Sequence, residues 1–487
     1  MSHAVFRRLL DRVSAATGLP AEKLAGLLRP PPKPEMGDYA LPCFELAKAR
    51  GIPPPKLAQD LAAQLAGDAL LAECFEPPAG AGPFLNFRAK PGRLSAAILD
   101  DVLKAQGRFG LGQDGAGKTI VVDFSSPNIA KPFHVGHLMS TVLGASLTRI
   151  FRALGHPVVG VNHLGDWGTQ CGYQFLAWQK ADPAERERRL DAEGLDYLAD
   201  LYVEINAPAK RLKALENQLL EPKLAPEDRK RVEAELAAAR PLADELETQA
   251  RALFKKLEDG DPELKALWER FRRTTLDVLQ KSYDRLGVKF DSDAGEGFYE
   301  PMLKPLVEDL KAKGVLVESE GALVIPMEEP GSQKKKMPFI VVKSDGATKY
   351  ETRDLAAAIY RKKTYDFAQN LYVVDVRQGE HFSNLFKALE KCGYPWARDC
   401  HHVSYGMMKI KEGDTVLPMT TRGGRMIPLS ELLDRMVAIV RGIVEQKNPE
   451  LPAQQKDLVS EAVGVGAIVF WIQARRRTSD ITFDWKQ

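Results

Sequence analysis

Two histidines near the start of a predicted helix are the residues of this sequence best placed to do chemistry. KPFHVGHLMS, residues 131–140, holds His134 and His137 three residues apart, with Gly136 between them. The first turn of a helix has free N–H groups and a partial positive charge. Imidazoles there can donate hydrogen bonds to phosphate oxygens as charge builds on them. A glycine would also let a flat nucleobase lie against the backbone.

Two other interpretations of the histidine pair stay open at this level. An isolated H-x-x-H pair is most often a core or capping feature. A metal site with His163 or Cys171 would need three or four converging ligands, and no acidic or thiol residue stands at a familiar spacing. We therefore predict no protein metal site, and the surrounding residues must decide between the other two roles.

The elements that position the histidines follow a βαβ pattern. TIVVDFSS, residues 119–126, is apolar and β-branched, which is typical of a buried parallel strand. A helical stripe follows at Leu143, Leu147, Ile150, Phe151 and Leu154. PVVGVNHLGDWG then predicts a second strand and a turn. The pattern favours a doubly wound nucleotide-binding core, although neither GxxxxGK[ST] nor GxGxxG occurs at this turn.

Composition and charge set only broad limits. The chain has 487 residues, of which 28% are charged, and a net charge of +2, which favours neither a nucleic-acid nor an acidic partner. Its five cysteines show no C-x-x-C spacing, as expected of a reduced intracellular protein. Neither a signal-peptide core nor an apolar span of membrane length is evident. We expect a cytoplasmic protein of several domains, without a membrane segment.

The remaining sequence divides into regions of different character. Residues 1–112 combine helical periodicity with short alternating strands and predict a small α+β domain. Residues 118–428 form the predicted α/β core, interrupted at about 176–285 by a charged helical insertion whose simplest interpretation is a solvated surface. The strand-like runs ALVIPM, PFIVVKS and LYVVDV indicate that the core resumes after it. Residues 429–487 predict a pair of closing helices.

The residues around the histidines resemble a known class. SSPNIAKPFHVGHL followed by VNHLGDWGTQCG is similar to the class I aminoacyl-tRNA synthetases, whose signature is HIGH, and in particular to the arginyl-tRNA synthetase family. Similar segments run from GDYALPCFELAK to RTSDITFDW, so the resemblance covers nearly the whole chain. It implies a Rossmann-like parallel-sheet catalytic domain with a helical insertion, a small α+β N-terminal domain that contacts tRNA, and a helical C-terminal stem.

The resemblance also implies a reaction. ATP, with Mg²⁺ bridging its phosphates, would activate L-arginine to arginyl-adenylate, and the arginyl group would pass to the 3′ end of tRNA(Arg). The enzyme would work as a monomer. In the family a helical anticodon-binding domain follows FDW, and this sequence stops at Gln487, so we expect that domain to be absent.

For ATP, the resemblance points to two segments. The second class signature, KMSK, corresponds to PMTTRGG, residues 418–424, which holds no lysine. A lysine upstream of HIGH is thought to compensate in many arginyl enzymes, and Lys131 has that position. The implied catalytic and ATP-binding residues are Lys131, His134, Gly136, His137, Met419, Thr421 and Arg422. Met139 stands where the family usually has arginine, and its consequence stays open.

For arginine, the pocket must offer acceptors to a planar group with five donors. Glu296 and Asp354 would neutralise the guanidinium, whereas Asn128 and Gln378 would hold the α-amino and carboxylate end or orient neighbours. The full set implied by the resemblance is Ser126, Asn128, His137, Glu296, Tyr350, Asp354 and Gln378. The turn NHLGDWG adds His163 and Asp166, for which structural and substrate-facing roles are equally open.

Two alternatives to a ligase are kept. One is a nucleotidyltransferase with an HxGH motif that adenylylates a small molecule without tRNA, although such proteins are usually smaller and lack GDWG. The other is a degenerate synthetase paralogue or fragment that binds tRNA or arginine without full charging activity. The altered second signature, Met139 and the missing domain favour this second alternative, because a fold need not carry its function.

Overall fold

A computed structural model gives the fold of the chain in two units, Met1–Gln113 and Asp114–Gln487, and each is described by itself. The structure describes residues 4–221, 224–327, 337–344, 346–348, 350–412, 415–418 and 427–483. Within those ranges, no helix is both long enough and apolar enough to cross a membrane.

The first unit packs helices on a small antiparallel sheet with the strand order β1-β3-β2. Its elements are α1 (Ala4–Thr17), α2 (Ala21–Leu27), β1 (Tyr39–Pro42), α3 (Phe44–Arg50), α4 (Pro54–Ala66), α5 (Ala69–Ala72), β2 (Ala79–Ala81), β3 (Phe84–Phe87) and α6 (Pro91–Ala105), with a 3-10 turn at Pro34–Met36. Leu57, Leu61 and Leu65 recur at one helical face of α4 and are buried. They share a core with Leu85 and Phe87 of β3.

The second unit holds the remaining elements. Its helices are α7 (Val135–Ala153), α8 (Thr169–Lys180), α9 (Pro183–Glu193), α10 (Leu195–Ile205), α11 (Ala207–Leu219), α12 (Pro226–Glu258), α13 (Pro262–Leu286), α14 (Glu296–Ala312), α15 (Tyr350–Tyr365), α16 (Gly379–Lys391), α17 (Leu429–Lys447) and α18 (Ala453–Gln473). Its strands are β4 (Ile120–Asp123), β5 (Val158–Val161), β6 (Val317–Ser319), β7 (Ala322–Ile325), β8 (Phe339–Val342), β9 (Gln369–Tyr372), β10 (Cys400–His402), β11 (Met408–Glu412), β12 (Thr415–Pro418) and β13 (Ile481–Phe483). Two short 3-10 helices lie at Val376–Gln378 and Pro395–Asp399.

The centre of the second unit is a parallel sheet with the order β10-β9-β4-β5. Every residue of β4 is buried, as its apolar run predicts for a strand covered on both faces. The order reverses between β4 and β9, and ligands of such sheets bind beyond the carboxyl ends of the strands at this switch point. Asp123, the last residue of β4, pairs with Val161 and Tyr372 at that edge.

Two predicted core strands lie elsewhere. ALVIPM and PFIVVKS form β7 and β8, which join β6 in a separate antiparallel sheet, and only LYVVDV, as β9, enters the parallel sheet. The prediction that all three resume the core is therefore wrong for the first two. A short apolar run fits a hairpin strand as well as a central parallel one, because its composition does not report its partner.

The helical insertion spans α8 to α13 and has a core of its own. Cys171, Phe175 and Trp178 on α8 are buried with Phe271 of α13, and α8 packs against α10 and α12. Ile129, from the loop that precedes the histidines, belongs to the same core. The insertion is thus more than a solvated surface, because it supports the loop beneath the predicted site.

Helix α7 buries a face next to the predicted one. Ile150 and Leu154 of the predicted stripe are 54% and 42% exposed. Leu138, Met139 and Val142 are instead in the core. Helix α7 packs against β4, β5 and α18, so its buried surface is broad. The 3.6-residue periodicity of one apolar stripe therefore locates the buried face of the helix only approximately.

Candidate active site

His134 and His137 close the first turn of α7 by capping it. The Nδ1 atom of His134 accepts a hydrogen bond from the Gly136 N–H at 3.0 Å, and Nδ1 of His137 accepts one from the His134 N–H at 3.3 Å. The two rings lie 4.1 Å apart, centroid to centroid, and the His137 ring stacks on Phe133. A capping role and a ligand-facing role are therefore compatible, since each cap uses only one ring nitrogen.

The caps decide which nitrogen carries the proton. A neutral imidazole that accepts at Nδ1 must carry its hydrogen on Nε2, which leaves an N–H donor on each ring. Burial lowers the pKa of His134 to about 4. Burial, and then the nearby His134 and Lys131, lower the pKa of His137 to about 3. Both rings are thus neutral near pH 7 and offer hydrogen bonds rather than full charges.

Gly136 has a local reason to be glycine. A Cβ there would lie 2.6 Å from Cε1 of His134, so any side chain would displace the capping ring. The imidazole of His134 therefore occupies space that the sequence analysis reserved for a nucleobase. The contact of Gly136 with adenine remains a prediction.

The loop that carries Lys131 is held from two sides. Ala130 adopts φ 49° and donates its N–H to Oγ1 of Thr275 on α13 at 3.0 Å. Gln174 of α8 donates to the carbonyl oxygens of Ile129 and Ala130. These bonds fix a backbone that a non-glycine residue rarely adopts. They hold Lys131 three residues before the first histidine.

The side chain of Lys131 is half-buried. Its ammonium donates to Oε1 of Gln170 at 2.9 Å and lies 4.9 Å above the ring of Tyr202. Burial lowers the pKa of Lys131, whereas the charge of Glu296 works in the opposite direction. Lys131, on the predicted phosphate side, and Glu296, on the predicted arginine side, therefore influence each other electrostatically.

Residues 427–429, which follow the second predicted signature, form backbone hydrogen bonds with residues 133–135 of the first signature. The backbone of His134 bridges that of Pro428, the Val135 N–H donates to the Ile427 carbonyl at 3.2 Å, and the Leu429 N–H donates to the Phe133 carbonyl at 2.9 Å. Met419, Thr421 and Arg422 themselves lie outside the described residues, and their ATP-binding role remains a prediction.

Glu296 is the first residue of α14, next to the GDWG turn. Its N–H donates to the Leu164 carbonyl at 2.9 Å, which fixes its position. Its carboxylate is half-buried and, among the described side chains, receives no hydrogen bond. Burial raises its pKa to about 8, an effect that Asp354 increases and Arg353 opposes. Among the described residues, no arginine or lysine forms an ion pair with Glu296, although Arg353 lies close enough to oppose the rise of its pKa.

Asp354 lies between two histidines. Its Oδ2 is 2.7 Å from Nε2 of His381 on α16, and its Oδ1 is 3.8 Å from Nε2 of His163. The hydrogen bond and the charge of Asp354 raise the pKa of His381 although burial acts to lower it. Asp354 is therefore fixed in orientation without being neutralised by an arginine or lysine.

The arginines around the site are already matched to other carboxylates. Arg353 pairs with Glu300 at 3.0 Å, and Arg272 pairs with Asp166 at 3.1 Å. Arg361 pairs with Asp123 at 2.8 Å, and both are buried. Glu296 and Asp354 are the carboxylates of this cluster that remain without an arginine or lysine partner among the described residues. A ligand with a planar cation would neutralise the negative charge of these two carboxylates.

Ser126 and Asn128 leave the carboxyl end of β4. Ser126 has φ 48°, its N–H donates to Oδ1 of Asn162 at 3.1 Å, and its hydroxyl donates to Oδ1 of Asp123 at 3.0 Å. The Asn128 side chain lies against Gly165, where a Cβ would stand 2.0 Å from its Oδ1. Both residues are half-buried at the switch point of the sheet.

The roles of Asp166 and Met139, which the sequence analysis left open, are structural. Asp166 is 1% exposed, and its carboxylate accepts hydrogen bonds from the Gly297 N–H and from Arg272, so it ties the GDWG turn to α14. Burial raises its pKa against these bonds. Met139 is buried in the apolar core around α7. Its thioether packs where a charged side chain would need a partner.

The last two predicted arginine ligands are placed less fully. Gln378 ends the 3-10 helix at Val376–Gln378, and its side chain is exposed beyond the carboxyl end of β9. Tyr350 is the first residue of α15, one turn before Asp354, and its side chain lies outside the described part. Their roles remain predictions.

Four residues that position the site were missed by the sequence analysis: Asp123, Asn162, Arg361 and His381. Arg361 follows Asp354 by seven residues on α15, which places both on one helical face. His381 lies in QGEHF, three residues after Gln378. These spacings are visible in the sequence, but nothing in it distinguishes a buried arginine or histidine from an exposed one.

Comparison with known proteins finds two family models that match this chain. Residues 99–485 match the family model of the class I tRNA synthetase (R) catalytic domain, and residues 4–89 match that of the arginyl-tRNA synthetase N-terminal domain. The arginine–tRNA ligases of Clostridium botulinum (strain Alaska E43) and Clostridium beijerinckii are each 40% identical over 480 residues, which is 99% of this chain and 77% of theirs.

The fold has solved counterparts. Arginyl-tRNA synthetase of Thermus thermophilus matches with a TM-score of 0.65 and 24% identity, covering 99% of this chain and 77% of that one. That of Plasmodium falciparum matches with a TM-score of 0.62 and 20% identity, covering 99% and 75%. At these identities the likeness supports the fold.

The fold and the histidine-capped helix thus define a class I aminoacyl-tRNA synthetase. Within that class the chain belongs to the arginyl-tRNA synthetase family, whose members are arginine–tRNA ligases. The family, the fold class and the ligase activity expected from the sequence are confirmed. The comparisons give no support to a degenerate paralogue.

Proposed function

We propose that this chain joins L-arginine to tRNA(Arg) in two steps at the edge of its parallel sheet. In the first, an oxygen of the arginine carboxylate attacks the α-phosphorus of ATP, and pyrophosphate leaves. In the second, a hydroxyl of the terminal ribose attacks the arginyl carbonyl carbon, and AMP leaves. Both steps suit catalysis by positioning and electrostatics, without a covalent enzyme intermediate.

The phosphate side of the reaction falls to His134 and His137. Their Nε2–H donors are neutral, fixed by the backbone caps, and aligned with the N-terminus of a 19-residue helix. Such donors favour the pentavalent transition state, in which negative charge builds on the phosphate oxygens. Lys131 would add a full charge from the preceding loop. ATP enters as the substrate with Mg²⁺, which binds largely to phosphate and water oxygens.

The single observation that carries the choice of arginine is the state of Glu296. A half-buried carboxyl whose pKa is raised to about 8 by burial, beside a second carboxylate and without an ion pair to any described arginine or lysine, is poorly satisfied in the free protein. A guanidinium offers five donors in one plane and a charge that cannot be lost. It would pair with Glu296 and Asp354 together. A lysine ammonium, with three donors at one point, would not reach both in the same way.

The other predicted ligands complete the scheme. Asn128 and Gln378 would hold the α-amino and carboxylate end of arginine or orient neighbours, and Ser126 and Tyr350 would complete the pocket. The 1–112 domain would contact tRNA, the 118–428 domain would hold the reaction, and 429–487 would act as the stem. We further propose that the enzyme works as a monomer in the cytoplasm.

A charging assay with site variants tests the proposal. Purified protein, ATP, labelled arginine and full-length tRNA(Arg) should yield labelled arginyl-tRNA. Glu296→Gln and Asp354→Asn should each raise the KM for arginine by roughly 100-fold or more while the KM for ATP changes little, because each removes a charge from the guanidinium pocket. Absence of product with the wild-type fold intact would contradict the ligase function of this chain. An unchanged KM for arginine in both variants would contradict the pocket.

A further inference from the structure

The loop that joins β4 to α7 holds three strained backbone positions. We call residues 124–134 the β4–α7 loop. Within it Ser125, Ser126 and Ala130 have φ angles of 71°, 48° and 49°, although none of them is glycine. Residues with a side chain rarely adopt this left-handed region, because their Cβ approaches a backbone carbonyl oxygen. Such conformations persist only where the surrounding structure holds them, and they cluster at functional sites.

The first strained residue is held from two helices. Oγ of Ser125 lies 2.9 Å from the phenol oxygen of Tyr283 on α13 and 2.9 Å from Oγ1 of Thr141 on α7. Its N–H donates to Oγ of Ser140, also on α7, at 2.9 Å. All four side chains are buried. Each bond therefore forms away from water, and removal of one partner leaves a polar group unsatisfied.

Tyr283 also reaches the second strained residue, through Asn162. Nδ2 of Asn162 donates to the phenol oxygen of Tyr283 at 3.3 Å, while its Oδ1 accepts the Ser126 N–H at 3.1 Å. Asn162 is buried and directly follows β5. Burial raises the pKa of Tyr283 to about 12, so the phenol keeps its proton near pH 7. One neutral hydroxyl thus contacts Ser125 directly and Ser126 through one amide.

A second hydroxyl of α13 holds the other end of the strained stretch. Oγ1 of Thr275 accepts the Ala130 N–H at 3.0 Å and donates its own hydrogen to the Phe271 carbonyl at 2.7 Å. The second bond fixes the direction of the hydroxyl, so a lone pair faces the Ala130 N–H. Thr275 and Ala130 are both fully buried. The residue before Lys131 is thus bonded to the helical insertion.

The two hydroxyls lie on one face of α13. Thr275, Leu279 and Tyr283 follow at intervals of four residues, and all three are buried. Eight residues of α-helix cover about 12 Å. Along that length α13 contacts the strained stretch at both ends, at Ser125 and at Ala130. The last helix of the insertion therefore fixes the β4–α7 loop at two separate points.

We propose that Tyr283 and Thr275 are positioning residues, each for one side of the reaction site. The proposal rests on the proposed function, which assigns Ser126 to arginine and Lys131 to the phosphates. Tyr283 sets the arginine side, because it fixes the backbone at Ser125 and Ser126. Thr275 sets the phosphate side, because it fixes the residue before Lys131. Both hydroxyls are buried, and they act through the backbone of the loop rather than on a substrate.

A purely structural role for the two hydroxyls has a different signature. Hydroxyls that served only the stability of the fold would, when removed, lower the free energy of unfolding and leave the affinities for arginine and ATP unchanged. Hydroxyls that position one side of the site change the affinity for one substrate more than for the other. The two roles are therefore separated by which substrate is affected.

The experiment removes one hydroxyl at a time. Tyr283→Phe and Thr275→Val keep the shape of each side chain and delete its hydrogen-bonding oxygen. The matched controls are Tyr197→Phe and Thr148→Val. Tyr197 is a buried residue of α10, and the buried hydroxyl of Thr148 on α7 has no hydrogen-bond partner among the described residues. For each protein, titration calorimetry gives the dissociation constants of arginine and of ATP with Mg²⁺, and urea unfolding gives the stability.

The proposal expects opposite selectivities. Tyr283→Phe should weaken arginine binding roughly tenfold, the scale of one lost buried hydrogen bond, and ATP binding by less than about twofold. Thr275→Val should weaken ATP binding roughly tenfold and arginine binding by less than about twofold. Thr275→Ser keeps the hydroxyl and should bind both substrates like the wild type. The KM values for arginine and ATP in charging should follow the same pattern, and both controls should match the wild type.

Glycine provides a rescue, because it adopts a positive φ angle without a steric cost. Tyr283→Phe/Ser125→Gly should recover most of the affinity for arginine. Thr275→Val/Ala130→Gly should recover most of the affinity for ATP. Tyr283→Phe/Ser125→Ala should recover neither, since alanine has no hydroxyl and no freedom in this region. If Tyr283→Phe does not fold, Ser125→Ala removes the same contact from the loop and carries the same expectation for arginine.

Three results would overturn the proposal. One is wild-type affinity for both substrates in Tyr283→Phe and Thr275→Val, whatever the change in stability. A second is an equal loss of both affinities in each variant, which would show a general disturbance of the site. The third is the failure of both glycine variants to recover binding. A wild type that binds arginine and ATP but charges no tRNA contradicts the proposed function, and the affinities still test Tyr283 and Thr275.

Discussion

Arg361 determines which nitrogen of His163 carries the proton. Its Nη2 atom lies 3.4 Å from Nδ1 of His163, and a guanidinium can only donate, so Nδ1 must accept. The hydrogen of the neutral ring is then on Nε2, which faces Oδ1 of Asp354 at 3.8 Å. Arg361 is in turn held by Asp123 at the end of β4. The central strand of the sheet therefore positions the predicted guanidinium pocket through a buried arginine and a histidine.

The first prediction concerns this buried pair. Arg361→Met should lower the free energy of unfolding by about 3–5 kcal/mol, because it leaves the buried carboxylate of Asp123 without its cation. Urea unfolding followed by circular dichroism measures the change. The double variant Asp123→Leu/Arg361→Met should recover most of the loss. If the two single losses simply add in the double variant, the pair is not coupled as described.

The second prediction is a pH dependence of arginine binding. Burial raises the pKa of Glu296 to about 8. Below that pH the carboxyl is protonated in the free protein and must release its proton when a guanidinium binds. The affinity for arginine should therefore rise with pH, by up to roughly fiftyfold between pH 6 and pH 8, and level off above. Titration calorimetry in buffers of different ionisation enthalpy would also detect the released proton.

Glu296→Gln provides the control for that pH dependence. It should bind arginine weakly at every pH and show little of the increase between pH 6 and pH 8. His134 and His137, whose pKa values are lowered to about 4 and about 3, remain neutral throughout this range and cannot supply it. The same rise in the glutamine variant would assign the titration to another group.

The third prediction separates the capping role of His134 from its proposed catalytic role. His134→Asn should keep the cap, since asparagine is among the best N-cap residues, but it removes the Nε2–H donor. We expect kcat to fall by about 10²- to 10³-fold, with thermal stability and the KM for arginine nearly unchanged. Arginine-dependent exchange of pyrophosphate into ATP, with tRNA present, measures this step. A stable variant with wild-type exchange would show that the ring serves the helix alone.

The fourth prediction uses Gly136. A Cβ at this position would lie 2.6 Å from the His134 ring, so Gly136→Ala should force that ring out of its cap. We expect a loss of kcat similar to that of His134→Asn together with a loss of stability of about 1 kcal/mol, the usual cost of a missing cap. Gly144→Ala is unsuitable as a control because Phe124 fills that space, whereas Gly442→Ala meets no neighbouring atom, should leave kcat unchanged, and should raise stability by roughly 0.5–1 kcal/mol because it lies inside α17.

Sequence reasoning predicted the parts of the molecule that local patterns determine. The strand at 120–123 and the helix that begins at the histidines both follow from short runs of residues. The partner strands of β7 and β8 could not be predicted, because pairing depends on distant segments. The same holds for Asp123 and Arg361, which meet only because β9 brings α15 back beside β4.

The neighbours of Glu296 illustrate the difference at the site itself. Its residue type and its place in AGEGF, residues 294–298, were visible in the sequence. Its raised pKa was not, because that depends first on burial and then on the charges that the fold brings near it, Arg353 on one side and Asp354 on the other. Charge balance within a pocket is a property of the folded chain. It decides which carboxylates are left for a ligand.

The backbone bonds between Phe133–Val135 and Ile427–Leu429 have a mechanical consequence. Leu429 is the first residue of α17, a helix of 19 residues. The start of α17 and the first turn of α7, which carries the two histidines, are therefore joined by backbone hydrogen bonds. A change in the tilt of α17 would shift the first turn of α7, which sets the orientation of the imidazoles of His134 and His137. Any displacement of the start of α17 would therefore strain the backbone bonds next to the predicted phosphate site.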